Sequence, residues 1–182
     1  EKNVRVLAST GIAHLSINDE QNRHDADQKF TQAASLDTFF PMTWMGRGML
    51  NLQTERLEQA KFFFQTTLKE CGNVLPALLG MAAYYYTIAK YEASQDKYAE
   101  AIKRFPRQSG APARVGFGFA SYKLGQVDRA KAAFQRALAL DPENVPAMVG
   151  QAVLNMGSSS EGSIKSLSMA NLLDHNNAMV LN

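Results

Sequence analysis

Small residues recur in pairs along this chain at a nearly fixed interval. Gly46-x-Gly48, Gly80-x-Ala82, Gly116-x-Gly118 and Gly150-x-Ala152 follow one another at steps of 34, 36 and 34 residues. A period of that length means stacked copies of one supersecondary unit, none of which can bury its apolar face alone. It also disposes of another reading of RVGFGFASYK (114–123), a phosphate-cradling G-x-G-x-x-G loop. Such a loop occurs once, after a strand, and no strand pattern precedes this stretch. Small side chains at two fixed helix positions let paired helices approach closely, at a propensity cost of up to about 1 kcal/mol per glycine. All of these positions are therefore expected to serve packing between and within the units.

The segment 111–144, APARVGFGFASYKLGQVDRAKAAFQRALALDPEN, is 34 residues long and reads as two helices broken at Leu124-Gly125-Gln126. Phe117-Gly118, Ala130, Phe134, Ala137 and Pro142 match the tetratricopeptide signature, while Arg114 and Ser121 stand where large apolar residues are expected. A copy at 75–108 carries Leu78, Met81, Ala82, Tyr85, Ser94, Tyr98, Ala101 and Pro106 at the signature places. A copy at 41–74 carries Trp44, Gly48, Ala60 and Phe64, with Thr67 and Gly72 replacing the usual Ala and Pro. A copy at 145–177 opens with VPAMVGQAVLNMG and continues, after a flexible GSSSEG loop (157–162), into a helix through Ile164–Leu173. Residues 1–40 form an irregular first repeat, with helices near Val4–Ile17 and Ala26–Leu36 separated by the polar run NDEQNRHDAD, read as a long interhelix insertion. Residues 178–182 start a truncated next repeat, and the AMVLN ending without an initiator Met suggests a piece of something larger. The expected fold is all-α: a right-handed superhelical solenoid of tetratricopeptide helix-turn-helix repeats, in one continuous array.

In this architecture the first helix of each repeat supplies the concave wall. Helical spacing puts positions 2, 5, 9 and 12 of each copy on one stripe. Position 5 reads Met45, Leu79, Val115 and Val149; position 9 reads Met49, Ala83, Phe119 and Val153; position 12 reads Leu52, Tyr86, Tyr122 and Met156. None of these is charged. Chaperone adaptors of the same repeat hold a C-terminal carboxylate with Lys and Asn on this wall, so a charged peptide tail is a poor ligand here. An apolar segment of a partner chain, lying along Met45, Met49, Leu52, Leu79, Tyr86, Val115, Phe119, Tyr122, Val149, Val153 and Met156, fits better. The competing reading is that neighbouring repeats or an adjacent helix cover much of the stripe.

Other chemistries find little footing. Nineteen Lys and Arg against 17 Asp and Glu leave a net charge of +2, too small to argue for nucleic acid from field strength. Arg104, Arg107 and Arg114 gather near Pro106, but nearby acids dilute the cluster, Arg114 is read as holding a helix end, and direct nucleic-acid binding is not expected. The lone Cys71 excludes an internal disulfide and favours a reducing compartment. No apolar run reaches the roughly 18 residues of a membrane span. His14, His24 and His175 are scattered without metal-ligand spacing. Ser158-Ser159-Ser160 lacks a nucleophile elbow's glycines, and Asp96 and Glu100, followed by Arg104, read as a solvated helix face. Phe62-Phe63-Phe64 and Tyr84-Tyr85-Tyr86 radiate around their helices and are expected to be mostly core, Tyr86 excepted. No cofactor, metal or catalytic residue is indicated.

Beyond the general repeat, TWMGRGMLNL, PALLGMA, RVGFGFASYKLGQVDRAKAAFQRALALDPENVPAMVGQAVL and SIKSLSMANLLDHNNAMVLN are similar to the large tetratricopeptide subunit of the RNA polymerase II-associated factor (Paf) complex. The resemblance is most specific over 111–182; His175 departs from the usual Asp-Pro, and 1–40 matches loosely. In that family the repeat before TWMGRG has a long interhelix insertion, which the NDEQNRHDAD run would match. The resemblance implies a nuclear, non-catalytic scaffold that holds other Paf-complex subunits and supports polymerase II elongation and co-transcriptional histone modification. It leaves open whether the polymerase is touched directly. Two other readings stand beside it: a peptide-binding adaptor of another assembly, and the regulatory repeat region of a truncated enzyme, as in glycosyltransferases with such repeats.

Overall fold

The computed structural model describes residues 3–17, 19–72, 74–156 and 160–173, and all regular elements among them are α-helices. They are α1 (Val4–Leu15), α2 (Glu20–Leu36), α3 (Pro41–Gln53), α4 (Leu57–Cys71), α5 (Leu75–Thr87), α6 (Tyr91–Arg104), α7 (Gly110–Lys123), α8 (Val127–Leu140), α9 (Val145–Asn155) and α10 (Ser160–Leu173). The chain divides into two compact units, residues 1–84 and 85–182. His175, Ser158, Ser159 and the start of a further repeat at 178–182 lie outside the described residues.

Within the first unit, α1 packs on α2 and α3 on α4, and α3 also rests on α1 and α2. The ring of Phe30, wholly buried, fills the space beside two glycines. A Cβ on Gly11 of α1 would stand 2.6 Å from Phe30 Cε1, and one on Gly46 of α3 would enter the same ring. Phe64, equally buried, lies in the same way between Gly48 of α3 and Gly80 of α5. Phe62, in a run expected to be mostly core, is 61% exposed, because Phe64 holds the inward position and the intervening ~200° of helix turns Phe62 outward.

The polar run expected as an insertion is mostly helix. Asp19 caps α2, its Oδ1 accepting from the Asn22 N–H at 2.7 Å, and those backbone and side-chain bonds from Asn22 hold its carboxyl below the usual range. Helix α2 then begins at Glu20, so only a short connection separates it from α1. Its polar residues occupy the face left over by Ala26, Phe30 and Ala33, which are buried. The GSSSEG expectation is corrected similarly: α10 already begins at Ser160, while 157–159 lie outside the described residues.

Three of the turns within the helix pairs share one geometry. Glu55, Ala89 and Gly125 all adopt positive φ (58°, 57° and 72°), and the following N–H reaches back to close the helix end: Arg56 N to Asn51 O, Lys90 N to Tyr85 O and Gln126 N to Ser121 O, at 2.8–2.9 Å. Only the third was announced by a glycine.

In the second unit, α7 packs against α6, α8 and α9, and α9 against α10. Phe134 of α8 repeats the arrangement of Phe30 and Phe64, with Gly118 of α7 on one side and Gly150 of α9 on the other. Tyr98 of α6 meets Gly116 of α7. Ser121, odd for its signature place, is buried under the Gln95 amide, which donates to its Oγ at 2.7 Å and to Gln126 Oε1 at 2.9 Å. The pair supplies by volume and hydrogen bonding what a large apolar residue would have supplied by volume alone.

Burial, followed by the nearby Tyr86, pushes the Tyr98 phenol up to about 12 from 10.0. The folded state thus favours the neutral phenol, so its contribution is complete below pH 10 and is lost as pH rises toward about 12. That loss amounts to about 2–3 kcal/mol, at about 1.36 kcal/mol for each tenfold change in acidity. Urea unfolding across this window should show wild type weakening and Tyr98→Phe weakening much less. Equal weakening of both would remove Tyr98 as the cause.

Candidate partner-binding groove

The first helices of the pairs carry the apolar stripe, and the structure divides it by row. Met45, Val115 and Val149 are buried, and Leu79 is half-buried. The expectation that this row forms free wall does not hold. Val115 is packed with Ala111, Ala137 and Ala147, and Val149 with Met148 and Ala170, so neighbouring helices of the second unit consume it. Ala83 in the next row is half-buried and was never large enough to matter.

Solvent reaches the remaining rows. In the first unit Met49 is exposed and Leu52 half-buried. In the second, Tyr86, Phe119 and Val153 are half-buried, Tyr122 is 39% exposed and Met156 is 68% exposed. Four of these come together with Phe134, Gly150 and Lys123 around a cavity of about 190 Å³. Phe119 stacks edge-on against Phe134 with centroids 5.0 Å apart, and Tyr86 against Tyr91 at 5.4 Å. Burial, and then Tyr91, raise the Tyr86 phenol above its ordinary value. The wall is therefore aromatic and neutral but for Lys123, and suited to apolar side chains.

Sequence reasoning missed Lys123 and Phe134 as cavity walls, since a stripe drawn on first helices cannot show a second-helix ring reaching between them. It also missed Gly11, although its step of 35 residues from Gly46 was there to be read. His14 Nδ1 lies 2.7 Å from Asn22 Oδ1 and His24 Nε2 lies 2.9 Å from Gln28 Nε2; among the described residues no three His, Cys, Asp or Glu gather as for a metal. No helix of the described residues is long and apolar enough to cross a membrane.

The fold and the repeated ring-between-glycines packing define a protein of the tetratricopeptide-repeat class, a helical solenoid. The tetratricopeptide-repeat family model matches residues 113–144. A thermophilic tetratricopeptide protein of Thermus thermophilus superposes with a TM-score of 0.83 at 15% identity, covering 98% of this chain and 95% of that one. More specifically, the chain is similar in sequence to CTR9 proteins, as the sequence resemblance indicated. It is 34% identical over 163 residues to the Protein CTR9 homolog of Arabidopsis thaliana, covering 84% of this chain and 15% of that protein. It is 36% identical over 93 residues to the RNA polymerase-associated protein CTR9 of Caenorhabditis elegans, covering 51% of this chain and 8% of that protein. The chain thus spans a small part of the length of the curated relatives it matches.

Proposed function

We propose that this chain is a non-catalytic scaffold stretch of the Paf transcription elongation complex. Its exposed apolar wall seats segments of other Paf-complex subunits, in the nucleus, and so supports polymerase II elongation and co-transcriptional histone modification. The observation that carries this reading is the aromatic cavity of Tyr86, Phe119, Tyr122 and Val153, together with the exposed Met156 of the same stripe, in a chain similar to CTR9 proteins. Solvent-exposed aromatic and methionine side chains on a rigid helical frame are what an interface anchors on.

Co-purification with each other Paf-complex subunit tests it, comparing wild type with Tyr122→Asp/Met156→Asp. These two are chosen over Phe119 because Phe119 packs on the buried Phe134, whereas they project to solvent. With circular dichroism showing an intact fold, capture of one subunit should fall at least about tenfold, as expected for loss of a central anchor. Capture undiminished by the double change would move the interface off this wall. Failure of wild type to capture any subunit would remove the scaffold assignment while leaving the fold as it is.

A further inference from the structure

The second unit holds another concavity, of about 430 Å³, that shares no residue with the aromatic cavity. Ile102 of α6, Phe117 of α7 and Ala132 and Ala133 of α8 give it an apolar floor. Lys103, Arg114, Arg129 and Arg136 stand around that floor, and among the described residues no Asp or Glu lines it. The cations converge from three different helices, unlike an ordinary solvated face, where charges of both signs alternate along one helix.

Among the described residues no acid forms a salt bridge with them. Glu100 of α6 is engaged by Lys97 at 2.7 Å and by Arg104 at 3.0 Å, which makes the basic spot near Pro106 an ordinary helix-surface network. Arg114 Nη1 donates to Gly110 O at 2.7 Å and Arg129 Nη1 to Gln126 Oε1 at 3.1 Å, both neutral acceptors. Burial, and then the like charge of Arg136, lower the pKa of Arg114 from its ordinary value. An anion placed here would relieve that repulsion.

We propose that this concavity docks an acidic, amphipathic segment of a partner chain, whose apolar side chains rest on Phe117 and the alanines while its carboxylates pair with Lys103, Arg114, Arg129 and Arg136. Guanidinium groups fork onto carboxylates in a bidentate manner. The apolar floor decides between candidate anions. A phosphate backbone would use the cations but gain nothing from Ile102, Ala132 or Ala133, whereas an amphipathic peptide uses both. The volume falls within the roughly 300–1,000 Å³ of ordinary binding concavities. The proposal stands independently of the aromatic wall and its partners.

Fluorescence anisotropy on the whole chain tests it, with a labelled short peptide alternating Glu and Leu as probe. An all-Glu peptide and a Gln/Leu peptide serve as comparators. Binding of the Glu/Leu peptide should weaken with added salt and fall at least about tenfold in Arg129→Glu and Arg136→Glu. Lys131→Glu, an equal charge change on an exposed residue of α8 outside the concavity, should alter it less than about twofold. Arg136→Gln serves as a milder variant should charge reversal disturb the fold. Unchanged affinity in the arginine variants, or no binding of the Glu/Leu peptide at all, overturns the proposal. So does equal affinity for the all-Glu peptide, which would make the floor irrelevant. A single-stranded oligonucleotide that binds through Arg129 and Arg136 where the peptide does not would reassign the surface to nucleic acid.

Discussion

Phe64→Ala should lower the unfolding free energy by about 3–5 kcal/mol, whereas Phe62→Ala, two residues away on the same helix, should cost less than about 1 kcal/mol. Both belong to the same run of three phenylalanines. Phe64 is fully buried, its ring filling the gap left where Gly48 and Gly80 carry no side chains, while Phe62 is 61% exposed and pairs edge-on with Phe63. Removing the Phe64 ring forfeits its transfer energy and leaves a void between helix backbones too firmly held to collapse. Urea denaturation followed by circular dichroism would measure both changes. Similar losses for the two variants would mean that the ring-between-glycines packing does not bear the stability assigned to it.

Gly150→Val should be destabilising by about 3 kcal/mol, at the upper end of overpacking effects. The added Cβ would land in the ring of Phe134, which is 1% exposed, lies beside Gly118, where a Cβ would stand 2.7 Å from Cε1, and stacks against Phe119. Because the clash is with that one ring, the cost should shrink when the ring is removed. The double variant Gly150→Val/Phe134→Ala should therefore be more stable than the sum of the single losses by at least about 1 kcal/mol. Strict additivity would place the strain of Gly150→Val somewhere other than against Phe134.

The period of small residues and the aromatic and alanine places of the signature were written in the sequence, because a stacked repeat must solve the same packing problem at each step. Interval and residue size therefore suffice to show helix pairs. Which ring sits in which glycine's gap was not written there: Gly11 and Gly46 share Phe30 only because three helices bring them to one place. The polar run at 18–27 shows the opposite limit. A solvated helix face and a loop draw on the same residue types, and only the Asp19 cap and the buried Ala26 and Phe30 separate them.

For the groove, sequence alone determined that one stripe of the first helices is uncharged. Tertiary structure decided how much of it meets solvent, since burial of Val115 and Val149 depends on how neighbouring helices lean against them. It also brought Lys103, Arg114, Arg129 and Arg136 around one apolar floor. Arg129 and Arg136, seven residues apart, fall on one face of α8 with Ala132 and Ala133 between them. Residues from α6 and α7 could join them only through packing. Periodicity along a single helix is fixed by its own turn of about 3.6 residues, whereas exposure and convergence belong to the distances between helices.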